Sequence, residues 1–184
     1  MIFVRHGQSH FNAAYNVTQI DPGITDAGLT DDGIRQATAA GEALRTEDVR
    51  TVLASPYSRT LHTATLIAEQ LGLAITVEPL VHERAAFSCD IGSPRSQLEP
   101  RWPNVDFGTL PERWWPEPVE SETALLRRCA QFRTAAAARD DWPFLVVVSH
   151  WGFIRGLTGQ ALANGARLRY HPDAVGPDAE TGEP

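Results

Sequence analysis

The chain has 184 residues, 42% hydrophobic and 21% charged, with a net charge of −7, a balance that suits one globular domain and neither a disordered nor a fibrous chain. All sixteen cationic residues are arginine, which excludes a Walker-type P-loop and any Schiff-base or pyridoxal enzyme working through an internal lysine. Two cysteines, Cys89 and Cys129, are too few for a disulfide framework, no apolar run reaches membrane-spanning length, and an acidic chain without a basic stripe is a poor nucleic-acid binder.

The N-terminus, MIFVRHGQSH, does not read as a signal peptide, because only four residues precede a polar cluster; a cytoplasmic, reducing setting is expected. Residues 2–4 predict a short strand that ends at Arg5, His6 and Gly7. Thr30 reads as a helix N-cap with Asp31 and Asp32 in the first turn, near the positive end of the dipole, and Ile34, Ala37, Ala40 and Leu44 follow at helical spacing. Residues 51–54 predict a second strand, after which come Ser55, Pro56 and Arg59. Thr60, Ala64, Ile67, Ala68 and Leu71 then form a helical face that Gly72 ends. A third strand at 75–77 leads towards His82 and Glu83.

From 84 to 118 the periodicity lapses. This stretch holds Trp102, Trp114 and Trp115 among many prolines and reads as an irregular lid or binding loop. Ser121 opens another helix with Leu125, Cys129, Phe132 and Ala136 inward. Residues 144–148 are apolar throughout, as in a strand covered on both faces, and lead to Ser149 and His150. Residues 171–184 carry four acids and no arginine, and are expected to be disordered. Strand and helix alternate, so the expected fold is one α/β domain over 1–170 with a mainly parallel central sheet.

The residues just beyond each strand carry the chemistry. In open parallel sheets, ligands sit beyond the carboxyl ends of the strands. Arg5, His6, Arg59, Glu83 and His150 can therefore converge on one pocket, provided that the four runs are mutually parallel. Two guanidinium groups hold a phosphate by paired, charge-assisted bonds. A neutral imidazole attacks phosphorus in line while the arginines hold the equatorial oxygens, and a carboxylic acid protonates the departing alkoxide. Arginine supplies the cationic charge, so neither a metal nor a cofactor is expected. The two histidines also lack a short metal-ligand spacing.

Val4-Arg5-His6-Gly7-Gln8-Ser9 resembles the signature of the histidine phosphatase superfamily, the phosphoglycerate mutase-like enzymes. The resemblance continues through Asn12, through Asp26-Ala27-Gly28-Leu29-Thr30 with Gly33 and Gln36-Ala37, through Ser55-Pro56 with Arg59 and Thr63-Ala64, and through Ser149-His150-Trp151-Gly152. It implies a three-layer α/β/α sandwich. It also implies His6 as the nucleophile that becomes phosphohistidine, Arg5, Arg59 and His150 as phosphoryl-binding residues with Asn12 lining the same pocket, and Glu83 as proton donor. The absence of lysine and of long insertions tilts the reading from mutase to phosphatase. A phosphate-shifting mutase and a non-catalytic phospho-ligand binder remain the alternatives.

Among the acids, Glu83 competes with Glu78 and Asp90, and could instead be an exposed loop carboxylate. The tryptophans of 84–118 read as packing anchors more readily than as ligand contacts. The expected partner is a small phosphorylated substrate or a phosphoprotein, with no nucleic acid and no membrane. The chain itself is expected to be a monomer or a homodimer.

Overall fold

Strands β1 (Ile2–Arg5), β2 (Thr51–Ala54), β3 (Ile75–Val77), β4 (Val105–Asp106), β5 (Leu145–Ser149) and β6 (Arg167–Arg169) form one sheet in a computed structural model that describes residues 1–116 and 119–174. The order across the sheet is β4-β3-β2-β5-β1-β6. All neighbours pair in parallel except β6, which runs antiparallel to β1. The four runs predicted as strands are thus mutually parallel, and their carboxyl ends share one edge of the sheet.

Alternation along each strand separates two cores. Ile2, Val4, Val52, Ala54, Val146 and Val148 face helices α2 (Asp31–Leu44) and α3 (Ser58–Leu71). Phe3, Leu53, Leu145 and Val147 face α5 (Glu122–Ala137) and α6 (Trp151–Thr158). The result is the expected three-layer α/β/α sandwich. Every residue of β5 is buried, and each fully buried aliphatic side chain of this size contributes roughly 1.5–3 kcal/mol.

The helix starts follow the predicted chemistry. Thr30 accepts from the Gly33 N–H and Ser121 from the Ala124 N–H, while Gly72 ends α3 in the left-handed region at φ 67°. Helix α1 (His10–Thr18) buries only Phe11 and is held at its start by Ser9 and Asn12, each side chain accepting from the other's backbone N–H. Gly7 and Gly33 bring the loop after β1 against the first turn of α2. A Cβ on Gly7 would collide with the Gly33 carbonyl, and one on Gly33 with the Gln8 carbonyl.

The stretch 84–118, read as irregular, carries a 3-10 turn at Ser88–Asp90, the short helix α4 (Arg95–Leu98) and strand β4. Leu98, Phe107 and Leu110 join the core on the α2/α3 side, with Trp102 and Trp114 packed against it. Much of the segment is therefore body, and its apolar residues lack a period because it winds through turns. The expectation of disorder over 171–184 lies outside the described residues from 175 onward; at its start, His171 packs edge-on against Trp142. Among the described residues, no helix is long and apolar enough to cross a membrane.

Candidate active site

At the carboxyl edge of the sheet lies a cavity of about 520 Å³ whose wall includes Arg5, His6, Asn12, Arg59 and Glu83. His6 follows β1 directly. Its N–H donates to the Ser149 carbonyl (3.0 Å), and its own carbonyl accepts from Asn164 Nδ2 (3.0 Å). The next peptide is fixed by the Gly7 N–H donating to Thr63 Oγ1 (3.1 Å). His6 is thereby clamped between β5, α3 and the turn before β6.

The imidazole of His6 has a defined tautomer. Nδ1 lies 2.7 Å from the Gly7 carbonyl oxygen. A carbonyl only accepts, so Nδ1 carries the proton and Nε2 keeps its lone pair. Burial, then the charges of Arg59 and Arg5, push the His6 pKa well below the ordinary histidine value, so the ring is neutral at neutral pH. The arrangement leaves an unprotonated nitrogen among cations.

Arg59 lies in the first turn of α3. That helix has no side-chain cap of its own; Asp26 accepts from the Ser58 N–H (2.8 Å) and Ser58 Oγ (2.6 Å), placing a carboxylate at the positive end of the helix. The Arg59 guanidinium donates from Nε to His150 Nδ1 (3.3 Å), from Nη1 to the Cys89 carbonyl (2.8 Å) and from Nη2 to Asp90 Oδ1 (3.1 Å). Among the described residues three of its five N–H groups are thus engaged, and two remain for a ligand. Arg5 donates from Nη1 to the Leu162 carbonyl (2.7 Å), while its Nε is buried without a partner among the described residues. An anionic oxygen at that edge would satisfy it.

Glu83 is set at the N-terminus of α6. Its carboxylate accepts from the N–H groups of Arg84 (2.8 Å), Gly152 (3.2 Å) and Phe153 (3.3 Å). A Cβ at position 152 would strike Glu83 Oε1, so glycine is what lets the carboxylate reach the helix end. Burial, and then the nearby Asp90 charge, raise the Glu83 pKa above the usual carboxylate value. The loop before Glu83 is anchored by Arg128, whose Nη1 donates to the carbonyls of Leu80 (2.8 Å) and His82 (2.7 Å) while its guanidinium pairs with buried Glu120.

His150, unlike the other predicted residues, does not reach the cavity. It is fully buried and absent from the cavity wall, its ring centroid 5.1 Å from that of His6. Nδ1 accepts from Arg59, so Nε2 carries the proton and donates to Ser55 Oγ (2.8 Å). His82 also lies off the cavity, its Nδ1 donating to the Glu83 carbonyl (2.7 Å). Burial, then Arg128, lowers its pKa to about 4.

Two residues at the site escaped the sequence reading. Asp90, weighed only as a rival acid, is the buried partner of Arg59, both side chains being 3% exposed. Asn164 bonds the His6 carbonyl and also Asn12 Oδ1 (3.3 Å); the glycine after it, a turn signal, was the one cue in its neighbourhood. Among the described residues, no group of three or more His, Cys, Asp or Glu side chains is placed to hold a metal ion.

The sequence profile of the histidine phosphatase superfamily (branch 1) matches residues 1–174. The chain belongs to that superfamily. This chain is 35% identical over 80 residues to the probable phosphoglycerate mutase GpmB of Yersinia pestis (strain Pestoides F), a stretch that covers 44% of this chain and 35% of that protein. The match thus spans about a third of the curated relative's length.

Solved structures superpose more broadly. Mycobacterial hydrolase 1 aligns at TM-score 0.66 and 20% identity, covering 91% of this chain and 86% of that one. A mycobacterial glucosyl-3-phosphoglycerate phosphatase complexed with VO3 aligns at 0.64 and 22%, covering 91% and 88%. The ecdysone phosphate phosphatase of Bombix mori, complexed with tungstate, aligns at 0.61 and 20%, covering 86% and 75%. At these identities the likeness is one of fold.

Proposed function

We propose that this histidine phosphatase superfamily member hydrolyses phosphomonoesters through a phosphohistidine on His6, without a metal ion. The observation that carries this reading is the His6 tautomer: Nδ1–H is tied to the Gly7 carbonyl, leaving Nε2 unprotonated beside two guanidinium groups. In the first step Nε2 attacks phosphorus and the bond from phosphorus to the ester oxygen breaks. Protonated Glu83 gives its proton to the departing alkoxide. In the second step Glu83, now a carboxylate, takes a proton from water as the water oxygen attacks phosphorus. The P–N bond breaks, inorganic phosphate leaves, and Glu83 ends protonated again.

Arg5 and Arg59 bind the non-bridging oxygens, where charge is stabilised through the transfer. In this reading His150 acts on the phosphoryl group through Arg59, which it fixes at Nε. The substrate is a small phosphorylated molecule or a phosphoprotein.

The test is turnover of an aryl phosphate by the intact chain with no activator added. Steady release of inorganic phosphate is the expected result. Tight binding without release would favour a phospho-ligand binder, and dependence on a bisphosphorylated activator would favour a mutase.

The two titrating groups set a pH profile. For kcat/KM, His6 must be neutral and Glu83 protonated in the free enzyme. Because the His6 pKa is depressed, the loss through imidazolium formation falls well below pH 6.5. Because the Glu83 pKa is raised above 4.5, its proton is retained to higher pH than usual and lost as pH climbs further. The first-step rate should therefore be highest between the depressed His6 value and the raised Glu83 value, and decline as pH rises through the latter. Glu83→Gln should flatten that declining limb and slow alkyl esters far more than aryl esters, by roughly 10²–10⁴-fold. Equal slowing of both ester classes would remove Glu83 from the acid role.

A further inference from the structure

The cavity is lined by two chemically different sets of side chains. Beside Arg5, His6, Arg59 and Glu83, its wall carries the aromatic side chains of Phe11, Tyr15, Phe87 and Trp151. The rings of Phe11 and Tyr15 stack at 5.5 Å and 12°, and Phe87 leans on both, at 5.6 Å and 5.1 Å. Yet Phe87 is 42% exposed and Trp151 is 39% exposed. Large apolar surface left open beside a reactive centre marks a place where a ligand buries its own apolar surface.

This wall is held in place. Asp90, whose Oδ1 pairs with Arg59, accepts through Oδ2 from the N–H groups of Ala86 (3.0 Å) and Phe87 (3.1 Å). One carboxylate therefore fixes the phosphate-facing guanidinium and the backbone of the exposed ring together. The next residue is clasped as well: Ser88 donates from N (2.8 Å) and Oγ (2.5 Å) to Asp21, just beyond α1. Trp151 immediately precedes Gly152, whose N–H holds Glu83, so it stands beside the group that would protonate the leaving oxygen. An alcohol departing past Glu83 meets aromatic faces.

The lining offers little to a second anion. Besides Arg5 and Arg59, the described lining carries one further cation, Arg84, and its Nε already donates to the Glu120 carbonyl (3.0 Å). A cavity of about 520 Å³ falls in the range that encloses a small organic ligand, far larger than a phosphoryl group alone.

We propose that the substrate is the phosphomonoester of an apolar, ring-bearing alcohol, and that Phe11, Tyr15, Phe87 and Trp151 select it over phosphorylated polyols and glycerates. The inference rests on the phosphatase reading and adds the substrate class to it. Specificity of this kind comes from the apolar surface that the leaving group buries in the transition state.

The experiment compares 2-phenylethyl phosphate with glycerol 3-phosphate, whose alcohols are of similar acidity, so that leaving-group chemistry does not mask recognition. The expected result is a kcat/KM ratio of about tenfold or more in favour of the phenylethyl ester. Phe87→Ala and, separately, Tyr15→Ala should each shrink that ratio several-fold, and Phe87→Leu should restore part of it. Phe87 is exposed enough for truncation to leave the core intact. Equal kcat/KM for the two esters, or a ratio that neither alanine variant changes, would overturn the proposal and leave the phosphatase reading standing. If neither ester nor an aryl phosphate is turned over, the phosphatase reading itself fails.

Discussion

His6→Ala should lower turnover of any phosphomonoester by on the order of 10⁴-fold or more while leaving the chain folded. Among the described residues the side chain makes one hydrogen bond, from Nδ1 to the Gly7 carbonyl, and an edge contact with the His150 ring. The local backbone is held by other groups, namely the Ser149 carbonyl, Asn164 and Thr63. Removing the imidazole thus takes away the nucleophile and little of the scaffold. The measurement is kcat for an aryl phosphate, paired with a thermal unfolding curve of the variant. Residual turnover within tenfold of the native rate, in a folded variant, would show that His6 is not the phosphoryl acceptor.

Arg59→Lys should be nearly as damaging, by a different route. The guanidinium reaches His150, the Cys89 carbonyl and Asp90 at once, and among the described residues still has two N–H groups left over. An ammonium keeps the charge but loses the planar fork, so it cannot hold all three partners and a phosphate together. The expected loss in kcat/KM is about 10²–10³-fold, the magnitude typical of removing one donor to a developing charge. Stability should fall too, because Asp90 and His150 lose buried partners. Arg59→Met should be worse on that count, costing about 3–5 kcal/mol by leaving a buried carboxylate unpaired. A urea midpoint and a kcat/KM determination separate the two effects. Near-native values of both for the lysine variant would contradict the assigned contacts.

These two residues were legible in the sequence because of where they stand. The runs at 2–4, 51–54, 75–77 and 144–148 are short and apolar, and a buried parallel sheet demands such runs. The side chains next in line must lie at the ligand-binding edge, and that logic found Arg5, His6 and Arg59. Helices α2, α3 and α5 were legible through caps and spacing. Helix α1 was not, since it buries only Phe11 and owes its start to the Ser9–Asn12 pair. Nor was α6, whose Gly152 and Gly156 lower helix propensity; one of those glycines is what admits Glu83 to the helix end.

The remainder depended on chain path. Asp90 acquires its position from a 3-10 turn inside a segment without periodicity, so nothing in its neighbours announced a buried partner for Arg59. The aromatic wall is assembled from α1 and from residue 87, far apart in the sequence. Phe11 and Tyr15 have helical spacing, but their stacking on Phe87 is a tertiary fact. The segment 84–118 was expected to be an irregular lid or binding loop. Its Trp102 and Trp114 pack against the core, as read from the sequence, and the segment reaches the cavity through Arg84, Ala86, Phe87, Cys89 and Asp90.

The most direct test of the central claim is to mix the intact protein with an aryl phosphate, quench within milliseconds under alkaline denaturing conditions, and map the added phosphate by peptide mass spectrometry. The account predicts a phosphoryl group that is stable to base, labile to acid, and confined to the peptide bearing His6. Steady hydrolysis with no covalent phosphate trapped on that peptide, or with the phosphate on another side chain, would contradict it.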